Sequence, residues 1–191
     1  EFLHGNPDSL KVVDPVMGDN GKPYSTYTPE LIRRMKELVD AADVITPNLT
    51  ETCMLLGEEC PPVMSVAQAR SWLARLSDKP GIVVIKGVPL IDDDGQKLSN
   101  VGFDRESGSF WRIDWDHIPV HYPGTGDIFT SVLTASLLKG ESLPIALNRA
   151  TTFTEIAVKT TYSYGTEPRL GVLFEDCLSW LMTNTCLLYT S

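Results

Sequence analysis

The chain has 191 residues, enough for one domain with a sizeable core. Apolar residues make up 42% and charged residues 21%, an ordinary globular balance. A formal net charge of −9 excludes a nucleic-acid binder resting on a basic surface, but not a nucleotide enzyme, because backbone N–H groups and Mg²⁺ hold phosphates on acidic proteins.

No apolar run approaches the roughly 20 residues of a membrane span, and no signal peptide opens the chain, so a cytoplasmic protein is expected. The four cysteines (Cys53, Cys60, Cys177, Cys186) lack metal-ligand spacing and read as ordinary thiols of a reducing compartment. The three histidines (His4, His117, His121) are scattered, so no zinc site is expected. Glu1 opens the chain without an initiator Met. Residues 183–191 break the pattern of the preceding helix and read as a non-native tail, which leaves 1–182 as one expected domain.

In chain order, Leu10-Lys11-Val12-Val13 reads as a buried strand stopped by Asp14-Pro15. A loop is expected over 16–27. Thr28-Pro29-Glu30 then starts a helix, with Thr28 as N-cap and Pro29 at the first helical position. Asp43-Val44-Ile45-Thr46 is a second strand, and Asn48-Leu49-Thr50-Glu51 leads into a short helix ending near Gly57. The stretch 65–77 is a third helix with Val66, Ala69, Trp72, Leu73 and Leu76 on its apolar face. Ile82-Val83-Val84-Ile85 is the cleanest buried strand, with Lys86-Gly87 at its end. Segments 96–104 and 109–115 alternate and predict an antiparallel pair. Helices are expected over 127–139 and about 143–162, with a last amphipathic helix over 173–181. Strands alternating with helices predict an α/β layered fold with a mainly parallel sheet.

His121-Tyr122-Pro123-Gly124-Thr125-Gly126-Asp127 stands out chemically. Gly124 and Gly126 let the backbone turn N–H groups toward one anion, at the start of a helix where partial positive charge favours phosphate. Asp127 beside that turn suits a general base, which takes a proton from a hydroxyl while the N–H groups hold a phosphoryl group. An Asp capping a helix after a Gly-rich turn explains the same residues without chemistry. Asp14, Glu51 and Lys86 also lie at the ends of expected elements. Strand ends of a parallel sheet converge, so these residues are expected on one rim with the turn. Asp14 and Glu51 would hold Mg²⁺ directly or through water, and Lys86 would meet a nucleotide phosphate. Each has a plain alternative as a strand-end or first-turn charge. No P-loop is present.

Taken together, Asp14-Pro15-Val16-Met17-Gly18-Asp19, Thr46-Pro47-Asn48-Leu49-Thr50-Glu51, Val84-Ile85-Lys86-Gly87 and Pro123-Gly124-Thr125-Gly126-Asp127 resemble the ribokinase-like superfamily, within it the bacterial pyridoxal/pyridoxamine kinases. The resemblance covers roughly 5–182. It implies a three-layer α/β fold and ATP-dependent phosphorylation of the 5′-hydroxymethyl group of pyridoxal, pyridoxine or pyridoxamine. It also implies Mg²⁺, a monovalent cation such as K⁺, and a homodimer at full length. Asp127 matches the catalytic base beside the Gly124-Thr125-Gly126 anion hole. Asp14, Thr46, Glu51 and Lys86 match ATP/Mg²⁺ positions, and Arg112, Ile113, Asp114 and Trp115 fall on a nucleotide-contacting segment. Family members carry roughly eighty more residues before the Asp-Pro-Val strand, so the chain resembles a C-terminal portion that is inactive alone. Hydroxymethylpyrimidine kinase and a non-catalytic nucleotide-binding domain are the alternatives.

Overall fold

Short β-branched runs alternate with amphipathic helices, and the chain follows that alternation closely. The computed structural model describes Asn6 and residues 8–183. The chain divides into two units, Glu1–Asp114 and Trp115–Ser191.

The first unit begins with β1 (Val12–Val13), which ends at Asp14-Pro15 as expected. The following segment is more ordered than the expected loop. It forms a hairpin of β2 (Gly18–Asp19) and β3 (Lys22–Pro23). Asn20 and Gly21 turn that hairpin at φ of 52° and 74°, the conformation that makes Asn-Gly the favoured two-residue turn. Helix α1 (Pro29–Asp40) starts as predicted, with Thr28 Oγ1 accepting from the Leu31 N–H at 3.3 Å. Strand β4 (Val44–Ile45) is fully buried and leads into α2 (Leu49–Leu56). Next come β5 (Met64–Ser65) and α3 (Val66–Leu76), whose Ala69, Trp72, Leu73 and Leu76 face the core as the helical period requires.

Three longer strands complete the sheet: β6 (Ile82–Asp92), β7 (Gly95–Asp104) and β8 (Ser109–Trp115). The order is β1-β4-β6-β7-β8, with β5 beside β6. β1, β4 and β6 run parallel, β5 runs parallel to β6, and β7 runs antiparallel to it. Ile82–Ile85 is therefore only the first part of a strand that continues to Asp92. Lys86-Gly87 is no terminus but a bulge between Ile85 and Val88. Gly87 takes φ of 65° there, and its N–H donates to Asn100 Oδ1 at 2.9 Å. Segment 96–104 consequently has β6 as a second neighbour besides β8. Ile45, Leu73, Val83, Ile85 and Leu90 form the centre of the core, none exposed.

Cys53 and Cys60 are disulfide-bonded, which corrects the expectation of ordinary thiols for this pair. Gly57 in the left-handed region (φ 71°) ends α2 and reverses the chain, bringing the two Cα atoms within 5.6 Å. Cys177 is a buried free thiol, and Cys186 lies outside the described residues.

In the second unit, α4 (Thr125–Leu138) packs against α5 (Leu143–Ser163). Phe129, Val132 and Leu133 of α4 and Leu147, Ala150, Phe153 and Ala157 of α5 are buried. Glu141 and Arg149 form a two-pronged ion pair at 2.8 and 3.1 Å that fixes the connection. The single helix expected over 173–181 is broken instead. Short 3₁₀ turns at Pro168–Leu170 and Glu175–Cys177 precede α6 (Leu178–Thr183). The Leu173 N–H donates to Thr161 Oγ1 at 2.9 Å, which ties the start of this segment to α5. Most of the segment read as a non-native tail lies outside the described residues. No helix among the described residues is long and apolar enough to cross a membrane.

Candidate active site

Two parallel strands of the first unit, β1 and β4, end beside the bulge in β6, and each of these three places presents a polar residue. β1 delivers Asp14. β4 continues through Thr46-Pro47 to Asn48. β6 delivers Lys86, whose N–H donates to the Pro47 carbonyl at 2.8 Å. Such strand ends are where ligands bind in parallel sheets. Lys86 Nζ lies 2.9 Å from each oxygen of Asp14, and both side chains are 14% exposed. Thr46 is buried, and its N–H bonds the Val13 carbonyl at 3.2 Å. It helps hold β1 beside β4.

Glu51 belongs to a complete capping box. Asn48 Oδ1 accepts the Glu51 N–H at 2.8 Å, and Glu51 Oε2 accepts the Asn48 N–H at 2.7 Å. The remaining groups of that first turn reach across to the hairpin segment. Glu51 Oε1 accepts the Met17 N–H at 3.1 Å, Asn48 Nδ2 donates to the Gly18 carbonyl at 2.9 Å, and Thr50 Oγ1 accepts the Gly21 N–H at 2.9 Å. Gly18 permits this fit, since a Cβ there would lie 2.4 Å from the Lys22 carbonyl oxygen. Burial pushes the Glu51 carboxyl up to about 7. The Asp14 charge adds to that rise, while the N–H bonds and the Lys86 ammonium oppose it.

The Lys86 ammonium thus pairs with Asp14 while its charge also acts on Glu51, and each Glu51 oxygen keeps a free lone pair after its single N–H bond. That donor set fits a small divalent cation. Among the described residues no group of three or more His, Cys, Asp or Glu is placed to hold a metal. An ion here would complete its shell with water or phosphate oxygen, as Mg²⁺ does.

The expected nucleotide-contacting segment shows a different kind of order. Arg112 pairs with Asp92 and grips Asp114 through Nε and Nη2 at 2.5 and 3.1 Å. Ser99 Oγ donates to Asp114 Oδ1 at 2.6 Å, and Lys97 stands 3.7 Å from Asp114. Burial works to raise the Asp114 carboxyl, yet the bonds from Arg112 and Ser99 carry it below its usual range. Arg112 is raised, chiefly by its bond to Asp114. These residues, with half-buried Ile113 between them, form an ion network across the sheet. Trp115 opens the second unit. Its Nε1–H is buried without an acceptor among the described residues, and its ring lies 6.4 Å from that of His117.

The second unit contains the Gly-Thr-Gly-Asp turn. Gly124 is the N-cap of α4 at φ 89°, and no side chain caps the helix. Thr125, Gly126 and Asp127 fill the first helical positions, whose N–H groups have no partner within the helix. Thr125 Oγ1 donates to the carbonyl of buried Tyr122 at 3.3 Å and fastens the turn from behind. Gly171, at φ 80°, lies near the turn, where a Cβ would meet the Pro123 carbonyl oxygen at an ordinary 3.4 Å, so it is the positive φ that favours glycine there. Asp127 is exposed. Thr50 lies within the Asn48-to-Glu51 motif, but nothing in that motif signals its bond to the hairpin, and Gly171 carries no motif that singles it out in the sequence.

The family described as phosphomethylpyrimidine kinase matches residues 3–170. The chain belongs to that family. A hydroxymethylpyrimidine/phosphomethylpyrimidine kinase of Haemophilus influenzae is 29% identical over 86% of the chain and 61% of its own length. A Bacteroides thetaiotaomicron protein assigned as a phosphomethylpyrimidine kinase, crystallised with pyridoxal, is 42% identical with a TM-score of 0.88. That match covers 95% of this chain and 64% of the other. A pyridoxal kinase from Leishmania donovani, in complex with ADP and pyridoxamine, is 26% identical with a TM-score of 0.72 over 95% of this chain and 61% of the other. This member of the phosphomethylpyrimidine kinase family thus spans less than two thirds of the length of each. Its sheet and helices have the ribokinase-like α/β fold.

Proposed function

We propose that the chain is the nucleotide- and base-bearing portion of an ATP-dependent kinase that phosphorylates the 5′-hydroxymethyl group of pyridoxal, pyridoxine or pyridoxamine. The observation that carries this reading is the cluster of Asp14 at the end of β1, Lys86 at the bulge in β6 and Glu51 in the first turn of α2, a donor set suited to a nucleotide phosphate and a divalent ion. The relatives crystallised with pyridoxal, and with ADP and pyridoxamine, support the substrate class.

In this reading Lys86 meets a phosphate oxygen of ATP, and Asp14 and Glu51 hold Mg²⁺, which neutralises charge on the phosphates when bound. The N–H groups of Thr125, Gly126 and Asp127 receive the transferring phosphoryl group. Asp127 takes the proton from the acceptor hydroxyl as its oxygen bonds the γ-phosphorus and ADP leaves. Arg112 to Trp115 flank the nucleotide through backbone rather than through their mutually paired charges. The full-length protein is proposed to work in the cytoplasm as a homodimer.

Phosphorylation of a hydroxymethylpyrimidine is the second reading, favoured by the family match and by the Haemophilus influenzae relative. Calorimetric titration of the chain with ATP and Mg²⁺ tests the nucleotide site. Metal-dependent binding lost in Asp14→Ala/Glu51→Ala supports it, and no binding by the folded chain refutes it. Turnover of both substrate classes by the full-length protein decides between the readings.

A further inference from the structure

The Cys53–Cys60 bridge plays no part in the proposed chemistry, yet it lies on the helix that organises the cluster. Cys53 sits in α2, two residues after Glu51 and three after Thr50, and is 3% exposed. Its carbonyl accepts the N–H groups of both Gly57 and Glu58, so it anchors the end of that helix. Cys60 lies beyond the reversal and is exposed. One sulfur is thus shielded and the other open to solvent. The Cα separation of 5.6 Å falls in the middle of the disulfide range, so no backbone movement is needed to form or break the bond.

We infer that Cys53 and Cys60 form a reversible thiol–disulfide site that exchanges with small-molecule disulfides of the glutathione class, and that its state sets the stability of α2 and of the hairpin α2 grips. Exchange starts at Cys60, the only one of the two within reach of a dissolved reagent. The Cys60 thiolate attacks oxidised glutathione, forming a mixed disulfide and releasing one glutathione. The Cys53 thiolate then displaces the second glutathione and closes the bridge, and the two thiol protons end on the two released glutathione sulfurs. Reduced glutathione runs the steps backward, so the couple balances without another oxidant.

The consequence reaches the site through α2. The bridge closes a short ring around the helix C-terminus and so limits fraying of eight residues. The first turn of the same helix holds Met17, Gly18 and Gly21 through Glu51, Asn48 and Thr50. Loosening one end of so short a helix loosens the grip at the other.

The test uses the full 191-residue chain equilibrated with oxidised or reduced glutathione. Glu58 and Glu59 lie between the two cysteines. Cleavage after those glutamates therefore separates two peptides that stay joined only by the bridge. The expected result is a joined pair in oxidised glutathione, released by reductant and absent in Cys60→Ser. Reduction is expected to lower the melting temperature by about 5–10 °C. It is also expected to speed amide exchange at Met17 and Gly21 at least several-fold. Cys60→Ser, an exposed substitution, should match the reduced chain in both redox buffers. Absence of joined peptides overturns the site. Joined peptides with unchanged melting and exchange overturn its control of α2 and the hairpin.

Discussion

Lys86 Nζ lies 2.9 Å from both carboxylate oxygens of Asp14, joining the bulge in β6 to the end of β1 across 72 residues of sequence. Each side chain is mostly withdrawn from water, so the pair holds a charge balance as well as a geometry. Glu51 adds a second carboxyl whose charge Asp14 opposes. Lys86→Met leaves Asp14 without its cation and Glu51 without a nearby positive charge, and is expected to cost about 2–3 kcal/mol, somewhat less than a fully buried pair. Lys86→Met/Asp14→Asn should cost less than the sum of the single changes. Urea unfolding of the four proteins measures this, and strict additivity would deny the coupling.

The Glu51 carboxyl gives the fold a pH dependence of defined sign. Its folded value of about 7 exceeds the ordinary 4.5, so between those values the unfolded chain binds fewer protons than the folded one. Its contribution to stability is present in full below about 4.5 and is lost as pH rises to about 7. The loss amounts to at most about 3 kcal/mol. Glu51→Gln keeps the neutral form at every pH and should remove this slope. The difference in unfolding free energy between wild type and variant, followed from pH 4.5 to 8, reads it directly. Parallel curves would mean that Glu51 stays ionised in the fold.

Thr50 tests the hairpin contact without touching a charge. Thr50→Val keeps the shape but withdraws the acceptor of the Gly21 N–H. Exchange of that amide should accelerate roughly five- to tenfold, matching about 1 kcal/mol for one hydrogen bond. Thr50→Ser should restore protection. Equal protection in wild type and the Val variant would show that the hairpin holds without α2.

Gly124 tests the turn. Ala at φ 89° is strained, so Gly124→Ala should destabilise by about 1–2 kcal/mol or shift the backbone. Space is not the obstacle, because nothing stands within 4 Å of a Cβ there. Thermal melting registers the cost. Under the proposed function, phosphoryl transfer by the full-length protein should fall further than that loss of stability explains.

Much of this architecture was legible in the residues. Thr28-Pro29 marks the start of α1, the spacing of Ala69, Trp72, Leu73 and Leu76 marks the buried face of α3, and Asn48-x-x-Glu51 is a capping-box signature. The misses have physical causes. The hairpin at 18–23 is hidden because its strands are two residues long and held by contacts from α2, far away in sequence. β6 runs past Gly87 because Asn100, on the neighbouring strand, supplies the acceptor that the bulge needs. Cys53 and Cys60 have no recognisable spacing, since their meeting depends on the left-handed Gly57 between them. The segment 173–181 has a helical pattern, but only its end from Leu178 is α-helical, while its start is tied back to α5 through the Leu173 N–H and Thr161 Oγ1. At the candidate site, residue types announced Asp14, Glu51 and Lys86. Only the geometry shows Glu51 gripping the Met17 backbone and Arg112 bound up with Asp92 and Asp114.

Because Gly124 opens α4 without a side-chain cap, the first N–H groups of that helix have no side-chain acceptor. A bare row of donors recognises negative charge and size rather than chemical identity. Sulfate, inorganic phosphate and crowded carboxylate buffers would all serve such a turn as lid and rival together, steadying the helix while standing in the way of anything larger. Under the proposed function, the solution that steadies this helix is then also a mild antagonist, and affinity for nucleotide becomes partly a property of the salt.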